Sequence, residues 1–470
     1  MANIEKILLD VMGAINTYMA DYVLIVLLVG IGLYFSFKTR FVQVRCFGEG
    51  MKKVFGNIKF FGGKQESGMS SFQALATAIA GQVGTGNIVG ASGAILIGGP
   101  GAIFWMWVIA FLGMATIYAE AVLAQETRKV DEDGTVHGGP IYYIKRAFTG
   151  KFGTFLAGFF AIATVISLGF IGGMVQSNSI GATINTAFGI PTWVTGLVLA
   201  VVVGFIVIGG AKRIASTAEK IVPIMGVLYI VGALVVLAAN ITRIPETFAL
   251  IFKYAFQPQA LIGGGIGYAL KTAISQGAKR GLFSNEAGMG STPHAHAMAN
   301  VEKPHDQGVV AMIGVFFDTF IVLTMTALVV ITCMYTAGGP LAGADGATYA
   351  GMIASAGLDK TNIAQASFGS VFGTWLGNAF VAICLMFFAF TTIISWNLFG
   401  EINFTHLFGK KSKIIYFIIA IIFIFLGTIV TENELVWLTQ DTFNQFMVIP
   451  NVIGLIALSK LVKDASKTNK

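Results

Sequence analysis

Eleven stretches of this chain are apolar for long enough to cross a lipid bilayer as helices, and no other feature restricts its fold as severely. A hydrocarbon core about 30 Å thick is crossed by about 20 helical residues, so an apolar run of about 18 or more reads as one span. Lipid offers no partners for backbone N–H and C=O groups, so each run must satisfy them along its own length. The expected spans are an outer helix, Tyr18–Phe37, and ten more: Ser70–Gly98, Gly101–Gln125, Phe152–Phe188, Trp193–Gly210, Ala218–Asn240, Leu261–Ala297, Gln307–Tyr335, Val371–Phe399, Ile414–Val430 and Leu435–Leu461. The fold class is therefore all-α and polytopic, with residues 1–470 forming one membrane domain. Several runs exceed the bilayer thickness and must tilt, kink or project beyond it.

Composition agrees. Of 470 residues, 55% are hydrophobic and 11% are charged, against about 25% charged in soluble domains. That is too little charge to cover a soluble surface. The net charge of +7 follows membrane topology, not nucleic acid, because the basic residues sit in short linkers and no basic–aromatic stripe is present. Lys38, Arg40, Arg45, Lys52, Lys53, Lys59 and Lys64 fill the first linker. Lys212, Arg213, Lys220, Lys410, Lys411 and Lys413 recur on the same side of the alternation, as do Lys460, Lys463, Lys467 and Lys470 in the tail. The loops 189–192 and 431–434 lack Lys and Arg. Positive residues stay inside, which puts the N-terminus outside and the C-terminus in the cytoplasm of a cell-membrane protein. The N-terminus shows no cleavable signal pattern. Cys46, Cys333 and Cys384 stand far apart, without zinc or disulfide spacing. No paired acids, metal-ligand cluster or nucleophile–base set marks an enzyme.

Ten spans after the outer helix divide into two sets of five, residues 70–240 and 261–461. Five is odd, so the second set is inverted relative to the first, as in transporters built from inverted repeats. Each set opens on a glycine-interrupted, polar helix, the sequence pointer to a site at the membrane midplane. In the first, Gly81, Gln82, Gly84, Thr85, Gly86 and Asn87 fall together. Glycine costs a helix interior about 1 kcal/mol relative to alanine, so unwinding is expected here, facing protein or a cavity. Carbonyls near Ala80 and Val83 are then available to a cation or ammonium. Amides near Thr85, Gly86 and Asn87 are available to a carboxylate at the positive end of the second half-helix. Small-residue helix packing is the competing reading of the same glycines. The second helix holds Ser275, Gln276, Lys279, Arg280 and Glu286. A break at Ser275–Gly281 is expected, with Ser275 and Gln276 binding the ammonium. Arg280 and Glu286 are expected to pair with each other or with neighbouring helices.

Gly84-Thr85-Gly86-Asn87-Ile88, Gly98-Gly99-Pro100-Gly101-Ala102-Ile103-Phe104-Trp105-Met106-Trp107, Gly138-Gly139-Pro140 with Tyr142, and Arg280-Gly281-Leu282-Phe283-Ser284-Asn285-Glu286-Ala287-Gly288 resemble the alanine or glycine:cation symporter family. The likeness extends over most of the chain. It implies a leucine-transporter-like core of five plus five inverted helices behind one extra N-terminal helix. It further implies sodium-driven uptake of alanine or glycine, some members using protons. It also implies a sodium site in which the Ala80 and Val83 carbonyls face Thr391, Thr392 and Ser395, and no organic cofactor.

Around that centre, Gln82, Phe170 and Gln176 are expected to line the substrate pocket; Gln176 can orient the solute or simply bond between helices. Trp396 can cap a methyl-sized pocket or pack as an ordinary aromatic. Asp318 and Glu120 are expected to be structurally paired, with a proton role as the alternative. His294 and His296 do not share a helix face and are expected at the cytoplasmic surface. The small-residue loop 336–370 is expected outside, as a lid or a plain connector. The expected activity is sodium-coupled symport of a small neutral amino acid across the bilayer. Proton coupling is the first alternative and a channel the second.

Overall fold

Helices account for most of the described chain. The computed structural model describes residues 2–56, 69–132, 134–430 and 434–467; Lys59, Lys64, Lys470 and the acid-bearing stretch 431–433 lie outside them. Among the described residues, seven helices are long and apolar enough to cross a membrane. The count is eight if Glu434–Ala457 and Ser459–Ala465, bent by 64°, form one span. We label the elements used below: α1 (Lys6–Lys38), α2 (Phe47–Phe55), α3 (Ser71–Gln82), α4 (Gly86–Gly98), α5 (Ala102–Thr127), α6 (Gly150–Phe188), α7 (Thr192–Ile208), α8 (Gly210–Ala239), α9 (Ile266–Asn285), α10 (Pro293–Ala297), α11 (Pro304–Met334), α12 (Tyr349–Ser355), α13 (Ile363–Phe372), α14 (Thr374–Phe408), α15 (Lys413–Ile429) and α16 (Glu434–Ala457). A short hairpin, β1 (Lys129–Val130) with β2 (Val136–His137), follows α5.

The remaining expected spans are helical too, and each departs from a plain span for a visible reason. α3 and α4 are separated by unwound chain. α7 has only 17 residues. α9 carries Lys271, Lys279 and Arg280. Ser70 opens α3 with a capping box, its hydroxyl accepting from Gln73 N–H while the Gln73 side chain accepts from Ser70 N–H, which fixes the N-terminus.

Close helix approach depends on small residues, since lipid gives little apolar driving force between helices. A Cβ at Gly32 of α1 would lie 2.6 Å from Leu112 of α5, and one at Gly400 of α14 would lie 2.2 Å from the Tyr416 hydroxyl. That hydroxyl donates to the Asn397 carbonyl (3.0 Å). The apolar surface of α7 and α8, including Val201, Phe205, Val227 and Val231, stays exposed, as a lipid-facing wall requires.

The charged linkers gather at one end. Arg45 donates to the Ser466 carbonyl (3.0 Å), Lys410 meets Asp131 at 3.1 Å, and Lys53 meets Asp306 at 3.1 Å. The Lys410 and His137 bonds hold the Asp131 carboxyl below its ordinary range. A cleft of about 690 Å³ opens at this end, lined by Asp131, His137, Lys212, Glu401, Thr405 and Lys410 among others. At the opposite end the 336–370 segment contains α12 and α13.

Three π-helical turns sit at the centre of the bundle: Gly86–Gly90, Val165–Ile171 and Phe316–Leu323. Such turns concentrate at functional sites because they free or re-aim backbone groups.

Candidate functional site

The helix of α3 stops after Gln82, and Val83 is extended at ψ 92°. In a regular helix Gly84 N–H would bond Ala80 O, and Asn87 N–H would bond Val83 O. Here Gly84 N–H donates to Asn87 Oδ1 (2.9 Å) and Asn87 N–H to Gly84 O (3.2 Å). The Ala80 and Val83 carbonyls thus lose their main-chain donors. The Thr392 hydroxyl of α14 takes that place, 2.9 Å from Ala80 O, 3.3 Å from Val83 O and 3.0 Å from Phe388 O. One hydroxyl proton cannot serve three carbonyls at once, so the cluster is rich in negative ends of dipoles. A Cβ at Gly84 would lie 2.3 Å from Thr392 Oγ1, so this approach needs glycine.

Beyond the break, Thr85 N–H (3.0 Å) and Thr85 Oγ–H (2.6 Å) both donate to Gln176 Oε1 of α6. The Asn87 amide donates to Asp318 Oδ1 (2.7 Å), which also accepts from Ser284. Gly86 packs on Phe283 and Ser284, so α4 starts against the end of α9.

The second break is eleven residues later than expected. α9 runs unbroken through Ser275–Gly281 and ends at Asn285. Ser275 donates to Asp21 of α1 (2.5 Å). Gln276 lies against Gly98, its Oε1 buried without a partner among the described residues. Neither stands at an unwound segment. The local sequence explains the correction, because Ile266–Gly281 has no helix breaker beyond isolated glycines. Gly288, Gly290 and Pro293 follow closely after it. Gly288 and Gly290 take φ of 91° and 82°, and Pro293 opens α10 at N1, where proline is tolerated.

Residues 286–292 form the actual break. Glu286 adopts φ 59°, a left-handed conformation uncommon for a non-glycine residue. Its carboxylate accepts from Trp396 Nε1–H and from the Ser291 hydroxyl. Gly288 N–H donates to Glu120 (3.2 Å), and the Asn451 amide donates to both Glu120 and Gly288 O (2.9 Å). Gln82 donates to Asn285 O (2.8 Å), joining the two breaks directly. Buried polar groups in lipid must be matched in this way.

Trp396 is buried between Gly81, Gly172 and Phe283; a Cβ at Gly172 would lie 2.6 Å from its ring. Ser395 Oγ is buried with no hydrogen-bond partner among the described residues, three residues from Thr392 and so on a neighbouring face of α14. Thr391 is turned away. Its hydroxyl donates to Phe387 and Phe388 carbonyls and faces Met225 of α8. Phe170 also points elsewhere, toward Tyr416 and Phe423. Arg280 does not pair with Glu286. It meets Asp441 of α16 at 3.1 Å and covers the Trp437 ring. Lys360, between α12 and α13, lies over the same Trp437 ring, its amine 4.5 Å from the ring centre. Burial, then the neighbouring Arg280 charge, lowers its amine to about 8.

His294 and His296 are buried, not surface residues. His294 stacks between Phe160 and Phe399, and His296 meets Gln307 at 2.9 Å. α10 tucks inward because the break turns the chain back against α5 and α14. Sequence reasoning missed Asp441, Asn285, Ser291 and Asn451. The polar density of α16 (Gln440, Asp441, Thr442, Asn444, Gln445 and Asn451) signalled Asp441 and Asn451 alone; Asn285 and Ser291 carried no such signal.

The arrangement offers two unwound segments side by side, main-chain carbonyls beside a hydroxyl, and helix-starting amides. These groups can hold a cation and the two poles of a zwitterion. The sodium:alanine symporter family profile matches residues 5–469. The sodium/alanine symporter AgcS of Methanococcus maripaludis is 39% identical over 462 residues, covering 97% of this chain and 96% of its own. A Bacillus subtilis protein named as a sodium/proton-dependent alanine carrier, YrbD, is 42% identical over 458 residues, covering 96% and 90%. In three dimensions the chain resembles MhsT, solved in complex with L-phenylalanine, with a TM-score of 0.59 at 14% identity over 86% of this chain and 97% of that one.

Proposed function

The chain belongs to the sodium:alanine symporter family, and from that premise we propose that it takes up alanine, glycine or both, coupled to sodium by alternating access in the cell membrane. The observation that carries the reading is the pair of carbonyls, Ala80 and Val83, stripped of helical donors beside Thr392. In this proposal sodium binds these carbonyls with the Thr392 hydroxyl oxygen, and Ser395 supplies a further oxygen. Hard cations take such oxygen ligands, and the orphaned Ser395 hydroxyl supports the fit. Thr391 faces away and has no part in the site.

The substrate carboxylate is received by the Thr85 and Gly86 amides, displacing Gln176 Oε1, and Asn87 holds the turn. Its ammonium faces the carbonyl ends of the breaks. Phe283 and Trp396 bound the side chain, which supports a methyl-sized limit. Phe170 is left outside, and Ser275 and Gln276 are replaced by the 286–292 segment. Eleven crossings, an inverted five-plus-five core, an outside N-terminus and a cytoplasmic C-terminus complete the reading. The cleft of mixed charge at the Lys- and Arg-rich end supports release on the inside.

A second reading is proton coupling, favoured by the buried carboxyls of Glu286 and Asp318 beside the breaks and by the likeness to YrbD, named as a sodium/proton-dependent alanine carrier. Reconstituted uptake of labelled alanine, glycine and a larger amino acid separates the readings. Accumulation of the two small substrates under an inward sodium gradient, with none under a pH gradient alone, is expected. Accumulation driven by the pH gradient without sodium would replace sodium with the proton. Non-saturating flux without accumulation would mean a channel.

A further inference from the structure

Away from the central breaks, the fold brings two side chains of metal-ligand type from one short segment, Cys46 and Glu49, against a third, His305, 256 positions from Glu49. Cys46 precedes α2, Glu49 lies within it, and His305 stands at the start of α11. One ligand atom from each lies within 4.8 Å of the other two. Glu49 Oε2 and His305 Nε2 are already 3.4 Å apart. Tetrahedral zinc, with bonds of about 2.0–2.3 Å, requires ligand atoms about 3–4 Å apart, so small side-chain rotations close the set.

The surroundings are organised as such a site demands. The Tyr118 hydroxyl of α5 lies 2.7 Å from His305 Nδ1. With Nδ1 protonated toward that oxygen, Nε2 presents its lone pair to Cys46 and Glu49, the orienting device usual for ligating histidines. Cys46 and His305 are buried, while the Glu49 side chain is 28% exposed, which gives an ion a route in. Lys53 stands closer to Asp306 (3.1 Å) than to Glu49 (3.8 Å), so its charge is largely matched by Asp306. The backbone is fixed, because a Cβ at Gly50 would lie 2.8 Å from the Val309 carbonyl.

We propose that Cys46, Glu49 and His305 bind one transition-metal ion of the zinc type, which fastens α2 to α5 and α11 at the charged end of the bundle. Thiolate with imidazole selects zinc or its neighbours over magnesium and calcium. Three protein ligands leave the fourth position to water. Binding releases the Cys46 thiol proton to solvent as the sulfur–metal bond forms, so affinity rises with pH. The ion staples the segment that leads from α1 toward the first broken helix.

The test is titration of the purified full-length protein with Co²⁺ alone. One equivalent giving a thiolate-to-cobalt charge-transfer band, displaced by Zn²⁺, is the expected result, together with a higher melting temperature in Zn²⁺. Cys46→Ser, nearly isosteric, removes the band, whereas Cys333→Ser and Cys384→Ser retain it. Absence of the band in the unmodified protein overturns the proposal, and so does a band that survives both Cys46→Ser and His305→Gln. The first measurement needs no variant, so misfolding of a mutant cannot decide the outcome.

Discussion

Thr392 is the side chain on which the proposed ion site turns, because its hydroxyl faces both stripped carbonyls. Losing a hydrogen-bonding or ligating oxygen from a charged group costs about 1.5–3 kcal/mol, or about 10- to 150-fold in affinity. Thr392→Ala is therefore expected to raise the sodium concentration for half-maximal uptake by at least about tenfold. Thr392→Ser should stay near the original value. Sodium titration of uptake in proteoliposomes measures both, and an unchanged sodium dependence in the alanine variant would remove Thr392 from the site. Gly84→Ala tests the same contact sterically. Its methyl would lie 2.3 Å from the Thr392 oxygen, and overpacking of this kind costs about 1–3 kcal/mol. A lower melting temperature with loss of uptake is expected.

Among the elements, α9 teaches the most. Its glycines and polar residues invited a break at Ser275–Gly281, yet the helix continues there and its cations are accommodated by partners outside it. Lys271 pairs with Asp21 at 2.7 Å, and Arg280 with Asp441. A charge in a span needs a partner or water, not an unwound backbone. The unwinding came where glycine and proline permit it. The α12–α13 segment sets a pH test. The Lys360 amine, ordinarily near 10.5, is lowered to about 8 by burial and by Arg280. Between pH 8 and about 10.5 the unfolded chain holds that proton and the folded chain does not, so stability rises with pH in this window and is unaffected below it. Melting temperatures of the unmodified protein should therefore gain on those of Lys360→Met between pH 8 and 10. A difference constant over that range would mean that the amine is solvated.

For the whole molecule, the linkers rich in Lys and Arg come together at one end through contacts such as Arg45 with Ser466 and Lys410 with Asp131. With that end cytoplasmic, Lys467→Cys should be labelled by an impermeant thiol reagent only after permeabilisation, and Ile190→Cys in intact cells. The three native cysteines are buried, so background labelling should be low. The opposite pattern would invert the proposed topology.

Apolar run length and glycine placement were enough to predict a helical membrane protein and a first break within Gly81–Asn87, where the chain unwinds at 83–85, because both follow from local backbone chemistry in lipid. Which polar side chains meet was not local information. Thr392 reaches Ala80 across 312 positions, and His305 reaches Glu49 across 256. Thr391 and Thr392 are adjacent in sequence, yet the rotation of α14 about its axis sends one toward α8 and the other toward the break. That rotation is set by packing, through contacts such as Gly400 on Tyr416 and Gly172 on Trp396. Helical apolar runs and the first break are thus written in the chain, while the place of the second break and the partners of each charge and hydroxyl are decided only when the helices pack.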